Sequence, residues 1–139
     1  MGKRRVLLVD DERDIVKFIG KGLEVAGYEV LTALDGEEAL TKAALGRPEV
    51  IILDLMLPKR SGFELCALLK KDPQLRTVPI IIFTGKGGEM DERLCRELGA
   101  DAYLTKPHTS SALIEQIEAL LGTLPPASEP QGSGPKTQD

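Results

Sequence analysis

Asp10, Asp11, Asp54, Thr84 and Lys106 are the residues of this chain whose types and spacing suit chemistry. Each stands at or just past the downstream end of an apolar run, the runs being Val6–Val9, Val50–Leu53, Val78–Phe83 and Ala102–Leu104. Where such runs form the parallel strands of an open sheet, ligands bind beyond the carboxyl ends, at the point where strand order reverses. Residues spread from position 10 to position 106 would then meet in one pocket of three carboxylates, a hydroxyl and an ammonium. Carboxylate clusters suit hard divalent cations, and Mg²⁺ is the one that fits phosphate chemistry best. A carboxylate can also take up a phosphoryl group itself, as an acyl phosphate. The set points to a Mg²⁺-assisted phosphoryl acceptor.

Each residue has a plainer explanation too. Asp10 or Asp11 could cap the helix that follows, but two adjacent aspartates with a third at Asp54 gather like charges at a cost. Asp54 could simply start a loop, fixed by Pro58 and Gly62 in LMLPKRSG. Thr84 could be an ordinary strand-end threonine. As a donor it would reach a phosphoryl oxygen, with the glycines of GKGG leaving backbone N–H groups accessible. Lys106 could be one more surface lysine; opposite the carboxylates it would neutralise charge as an acceptor is phosphorylated. His108, the single histidine, falls in a helix-start region and receives no catalytic role.

The elements that must position these residues are legible as patterns. VLLV, VIIL and VPIIIF are continuously apolar, as in strands buried on both faces. Tyr28–Leu34 is shorter and mixed, which suits an edge strand. A first helix carries Ile15, Phe18, Ile19, Gly22, Leu23 and Ala26 inward and stops at Gly27. Asp35 caps a second, with Ala39, Leu40, Ala43 and Ala44, ended by Gly46 and Pro48. Ser61 caps a third, packing Leu65, Leu68 and Leu69. The fourth, around Glu89 to Leu98, has only the narrow stripe Met90, Leu94 and Leu98, which predicts the least stable helix. The fifth, Ser110 to Leu121, turns Leu113, Ile114, Ile117, Leu120 and Leu121 inward and ends at Gly122. Five strand–helix alternations predict an α/β sandwich, a five-stranded parallel sheet with helices on both faces.

Composition bounds the rest. At 139 residues, 42% hydrophobic and 29% charged, the chain suits one globular domain. A net charge of −4 argues against direct nucleic-acid binding by this segment. No apolar run approaches the roughly 18 residues of a membrane span, and the basic-then-apolar start breaks off at Asp10, unlike a signal peptide. Cys66 and Cys95 sit in helical patterns and read as buried thiols rather than a disulfide or metal pair. The expected compartment is the cytoplasm. Residues 1–122 form the predicted domain. The proline- and glycine-rich segment 123–139 reads as a disordered tail or linker stub.

VLLVDDE, VIILDLMLPKRSG, PIIIFTG and AYLTKP, in that order, resemble the receiver (phosphoacceptor) domain of bacterial two-component response regulators, the chemotaxis response regulator among them. The likeness runs from Arg4 to about Gly122. It implies a flavodoxin-like receiver sandwich with strand order 2-1-3-4-5. It implies that Asp54 takes phosphate from a sensor histidine kinase or phosphotransfer protein. Asp11, Asp54 and the Met56 carbonyl would bind Mg²⁺, with Asp10 acting through water; Thr84, Lys106, Gly85 and Met56 would contact the phosphoryl group. Thr84 and Tyr103 would form the switch, Tyr103 otherwise being a strand aromatic on the fifth helix. The Lys106–Pro107 bond would be cis. Met56 and Lys86 occupy positions that tune phosphate lifetime in such proteins.

The resemblance further implies a signalling switch rather than a metabolic enzyme. Its output would go through the face of the fourth helix, last strand and fifth helix, to a downstream protein, a linked output domain or a phosphorylation-dependent dimer. A haloacid dehalogenase-type phosphatase is the rival, but it needs D-x-D after the first strand, and Arg13 stands two beyond Asp11. A docking module that is never phosphorylated is a second rival, against which the intact pocket argues.

Overall fold

The computed structural model describes residues 3–85, 89–107 and 109–122. Lys86 with the rest of the GKGG segment after Gly85, His108 and residues 123–139 lie outside them. The apolar runs form strands β1 (Arg5–Val9), β2 (Glu29–Ala33), β3 (Val50–Leu53), β4 (Ile80–Thr84) and β5 (Ala102–Thr105). Between and after them run helices α1 (Arg13–Val25), α2 (Gly36–Gly46), α3 (Gly62–Lys71), α4 (Glu89–Glu97) and α5 (Ser110–Leu121). All strand pairs are parallel and the order is β2-β1-β3-β4-β5. This is the sandwich that the alternation of patterns predicts.

Side chains alternate across a strand, and the core divides accordingly. Leu7, Val9, Ile51, Leu53, Ile80 and Ile82 face the layer of α2, α3 and α4. Val6, Leu8, Val50, Ile52, Ile81 and Phe83 face α1 and α5. Because both faces are covered, the central strands can be apolar at every position. Val9 pairs in register with Leu53, so Asp10 and Asp54 leave adjacent strands at the same height. Chain order reverses between those two strands, which opens a crevice above them.

β2 and β4 start later than the sequence expectation, and the other strand ends differ from it by at most one residue. β4 starts at Ile80 rather than Val78, after a proline that has no N–H to give to a ladder. β2 starts at Glu29 because the Tyr28 N–H closes α1, donating to Leu23 O at 3.1 Å. Gly27, at φ 105, donates to Glu24 O at 3.0 Å and permits that left-handed termination. Asp35 and Ser61 cap α2 and α3 by accepting from Glu38 N–H and Glu64 N–H.

Several apolar residues expected inward face solvent instead: Phe18 on α1, Ala26 just beyond it, Ala44 on α2, Leu68 on α3, and Met90 and Leu94 on α4. α4 is turned so that Cys95 is fully buried and Leu98, just past its end, packs against the core. Cys66 on α3 lies in the same layer, its thiol 3.7 Å from Leu98 O. Packing against β5 and the core layer thus sets the inward face of α4, and the Cys95 thiol takes the place expected for Met90 and Leu94.

Candidate functional site

The last rungs of the ladder present the acids. Asp10 N–H donates to Ala33 O at 3.0 Å, and Asp54 N–H donates to Val9 O at 3.1 Å. Both side chains are nearly buried, Asp10 at 1% and Asp54 at 5% exposure. Buried carboxylates require partners. Asp10 Oδ1 accepts the Glu12 N–H at 2.9 Å, while its Oδ2 lies 2.7 Å from Lys106 Nζ. Asp10 does not cap α1, whose N-cap position is Glu12; its Oδ1 accepts the cap residue's own N–H two positions on, while Oδ2 meets the lysine.

Lys106 follows β5, with its backbone N–H donating to Thr84 O at 2.8 Å. The Lys106–Pro107 peptide is cis, matching the expectation from sequence. The ammonium sits 2.7 Å from Asp10, 2.9 Å from Glu12 and 3.3 Å from Asp54. Its three N–H groups therefore face three carboxylates. It also lies 5.8 Å from the Phe83 ring centroid, within cation–π range. Burial raises the Asp10 carboxyl above its ordinary value, against the opposing pull of Lys106 and the Glu12 N–H. For Lys106 burial works downward, but the bonds to Asp10 and Glu12 outweigh it and hold the ammonium well above its usual range.

An open cleft of about 420 Å³ lies above these groups, lined by Asp11, Glu12, Asp54, Met56, Thr84, Gly85 and Lys106. Asp10 lies against Lys106 rather than among the lining residues. Thr84 is buried at the end of β4, and Gly85 follows with open space where a Cβ would be. Met56 N–H reaches toward Asp54 Oδ1 at 3.5 Å, a long contact. Behind Asp54, Gly62 N–H donates to Leu55 O at 2.9 Å. A Cβ at Gly62 would collide with Asp54 O and lie 2.7 Å from Leu55 Cα, so the loop closes only on glycine.

Two readings from sequence change. Tyr103 packs with the layer containing α4, near Asp91, Glu92 and Cys95, and not on α5. Glu12 was not singled out, yet it joins Asp10 and Asp54 in a group in which one carboxylate oxygen from each lies within 4.8 Å of the others. Asp11 is exposed and lines the cleft but is not part of that group. The signal for Glu12 was available in the run of three acids after β1, where it passes for a first-turn helix residue. This oxygen-only donor set fits a hard divalent cation.

Residues 6–118 match the model of the response regulator receiver domain. The chain belongs to that family. It is similar to the alkaline phosphatase synthesis transcriptional regulatory protein PhoP of Bacillus subtilis (strain 168), 45% identical over 118 residues. That match covers 85% of this chain and 48% of PhoP. It is also similar to the probable transcriptional regulator ycf27 of Cyanophora paradoxa, 41% identical over 87% of this chain and 49% of that protein. The chain thus spans about half the length of these curated relatives.

Among solved structures, Vibrio cholerae chemotaxis protein CheY4 superposes with a TM-score of 0.82 at 34% identity, covering 86% of this chain and all of that one. The phosphorylated cyanobacterial phytochrome response regulator RcpA gives 0.73 at 30% identity, over 86% and 91%. The chain is therefore a receiver domain of the two-component signalling class, with the flavodoxin-like fold and a phosphoacceptor switch role. Receiver domains typically bind Mg²⁺ through acidic residues, and among the described residues Asp10, Glu12 and Asp54 form an acidic cluster that could hold a metal ion. No helix among the described residues is long and apolar enough to cross a membrane.

Proposed function

We propose that Asp54 is the phosphoacceptor and that a sensor histidine kinase or a phosphotransfer protein is the donor. The observation that carries this reading is the Lys106 ammonium, 3.3 Å from Asp54 Oδ2 at the floor of an open cleft. In the transfer, an Asp54 carboxylate oxygen forms a bond to phosphorus as the phosphorus–nitrogen bond of the donor imidazole breaks. The electron pair of that bond goes to the imidazole nitrogen, which takes a proton from solvent. Lys106 offsets the growing negative charge, and the Thr84 hydroxyl and the N–H groups of Met56 and Gly85 donate to the phosphoryl oxygens. Asp11, Asp54 and the Met56 carbonyl would hold Mg²⁺, with Asp10 acting through water and Glu12 at the same cluster. When bound, Mg²⁺ supplies positive charge where two anionic groups must approach.

The acyl phosphate would then bias a two-state element made of Thr84, Tyr103 and α4. Tyr103 lies against α4, which supports a route from Thr84 to the α4–β5–α5 face. Residues 1–122 would be the receiver unit, and 123–139 a tail or a linker stub. The relatives named as transcriptional regulators support a linked output domain, with a separate downstream protein or a second copy as other recipients. The domain assists its own phosphorylation and dephosphorylation without turning over a metabolite.

Incubation with acetyl phosphate and Mg²⁺ should add one phosphoryl group to the intact mass. Asp54→Asn should remove that gain. Full labelling of the variant would refute the assignment.

A further inference from the structure

Lys106 has three N–H donors, and the three carboxylates around it use them all. A phosphoryl oxygen on Asp54 can be met only if one of those contacts is given up. Asp10 is poorly placed to release the ammonium: it is 1% exposed, its contact is the shortest at 2.7 Å, and its other oxygen is fixed by the Glu12 N–H. Asp54 is the group that carries the phosphate. Glu12 differs from both. Its side chain is 60% exposed, its ammonium contact is 2.9 Å, and among the described residues Lys106 is the one cation it pairs with. Leaving Lys106, it swings into water at little cost, because an exposed ion pair contributes little.

We propose that Glu12 is a positioning residue that occupies one N–H of the Lys106 ammonium in the unphosphorylated domain and releases it when a phosphoryl group arrives at Asp54. The inference rests on the reading of Asp54 as the acceptor. Glu12 and the incoming phosphoryl oxygen compete for the same N–H. The contact therefore slows phosphorylation and weakens the phosphorylated form, by the size of one exposed pair. It also gives this side chain a role separate from helix capping, since α1 receives no side-chain cap from Glu12.

The test compares Glu12→Gln and Glu12→Asp with the wild-type protein, with Asp54→Asn and with Asp14→Asn as controls. Asp14 is an exposed acid in the first turn of α1 and does not line the cleft. Two quantities are read at saturating Mg²⁺: the rate of mass gain from acetyl phosphate, and the half-saturating concentration of beryllofluoride, a phosphoryl mimic that needs no transfer. Glu12→Asp keeps the charge but is one methylene too short for the 2.9 Å contact. Both Glu12 variants should label faster and bind beryllofluoride more tightly, by about twofold to fivefold, with Asp14→Asn unchanged. A gain in Glu12→Gln alone would assign the effect to lost charge and overturn the contact mechanism. Unchanged or slower labelling in both would overturn it as well. In those outcomes the acceptor reading stands if the wild type labels and Asp54→Asn does not. Failure of the wild type to label would overturn both.

Discussion

Lys106→Met removes the one cation among the described residues that faces these three carboxylates, and the structure sets the size and pH dependence of the damage. Asp10 is the residue left exposed to the loss, because it is buried and its Oδ2 has Lys106 as its partner at 2.7 Å. Removing one partner of a buried pair costs about 3–5 kcal/mol. Asp10 keeps the Glu12 N–H at 2.9 Å, and Asp54 and Glu12 line an open cleft that water enters. The cost should therefore fall near the lower end, about 3 kcal/mol at neutral pH. The Asp10 carboxyl is already raised above 3.8 by burial, and the lysine is the main influence opposing that rise. Without it the folded value climbs further. A carboxyl whose folded value is raised favours the folded state on the acidic side and loses that contribution as pH rises through the folded value. The deficit of Lys106→Met should accordingly shrink as pH falls from about 8 to about 5. In the wild type, the raised lysine contributes its stabilisation across this whole window, since it is lost only above the ordinary value of 10.5. Urea unfolding of both proteins in EDTA, across that pH range, measures the difference. A cost under about 1 kcal/mol, or one independent of pH, would refute the coupling of Lys106 to a buried acid.

Three further outcomes are expected. Tyr28 is buried, and its hydroxyl has no hydrogen-bond partner among the described residues; Tyr28→Phe should leave stability unchanged or raise it by about 1 kcal/mol in urea unfolding, and a loss above that size would reveal a partner. Gly62→Ala drives a methyl into the backbone at Asp54 and Leu55; it should cost about 1–3 kcal/mol and slow acetyl phosphate labelling, and a neutral result on both would show that the loop relaxes freely. Burial pushes Cys66 and Cys95 up to about 11; at about pH 8 roughly one thiol in a thousand is ionised, so Ellman's reagent should react far more slowly with native protein than in urea, and equal rates would refute the burial.

The sheet was legible because a parallel sheet covered on both faces leaves continuous apolar runs, and VLLV, VIIL and PIIIF are such runs. Helix stops and caps were legible at Gly27, Asp35 and Ser61 for local reasons of backbone geometry and hydrogen bonding. What failed was the inward face of single helices. Phe18, Met90 and Leu94 are apolar and at helical spacing, yet exposed, since orientation depends on the neighbour packed against the helix. Cys95, buried in the layer that also holds Cys66, illustrates the point for α4. Tyr103 was placed on the wrong side of the sheet for a related reason, because a four-residue strand gives little pattern from which to assign its faces. The site was legible from strand ends. Glu12 was visible only as the third acid of the run after β1, because its approach to Lys106, across 94 positions, depends on the sheet closing first.

The central claim concerns where the phosphoryl group goes. Sodium borohydride reduces an acyl phosphate at an aspartate to homoserine, which marks the acceptor permanently. Protein labelled by acetyl phosphate with Mg²⁺, reduced, digested and sequenced by mass spectrometry, should carry that mark at Asp54 and remain aspartate at Asp10 and Asp11. A mark at either of those two positions, or none on protein that has gained the mass, would contradict the account.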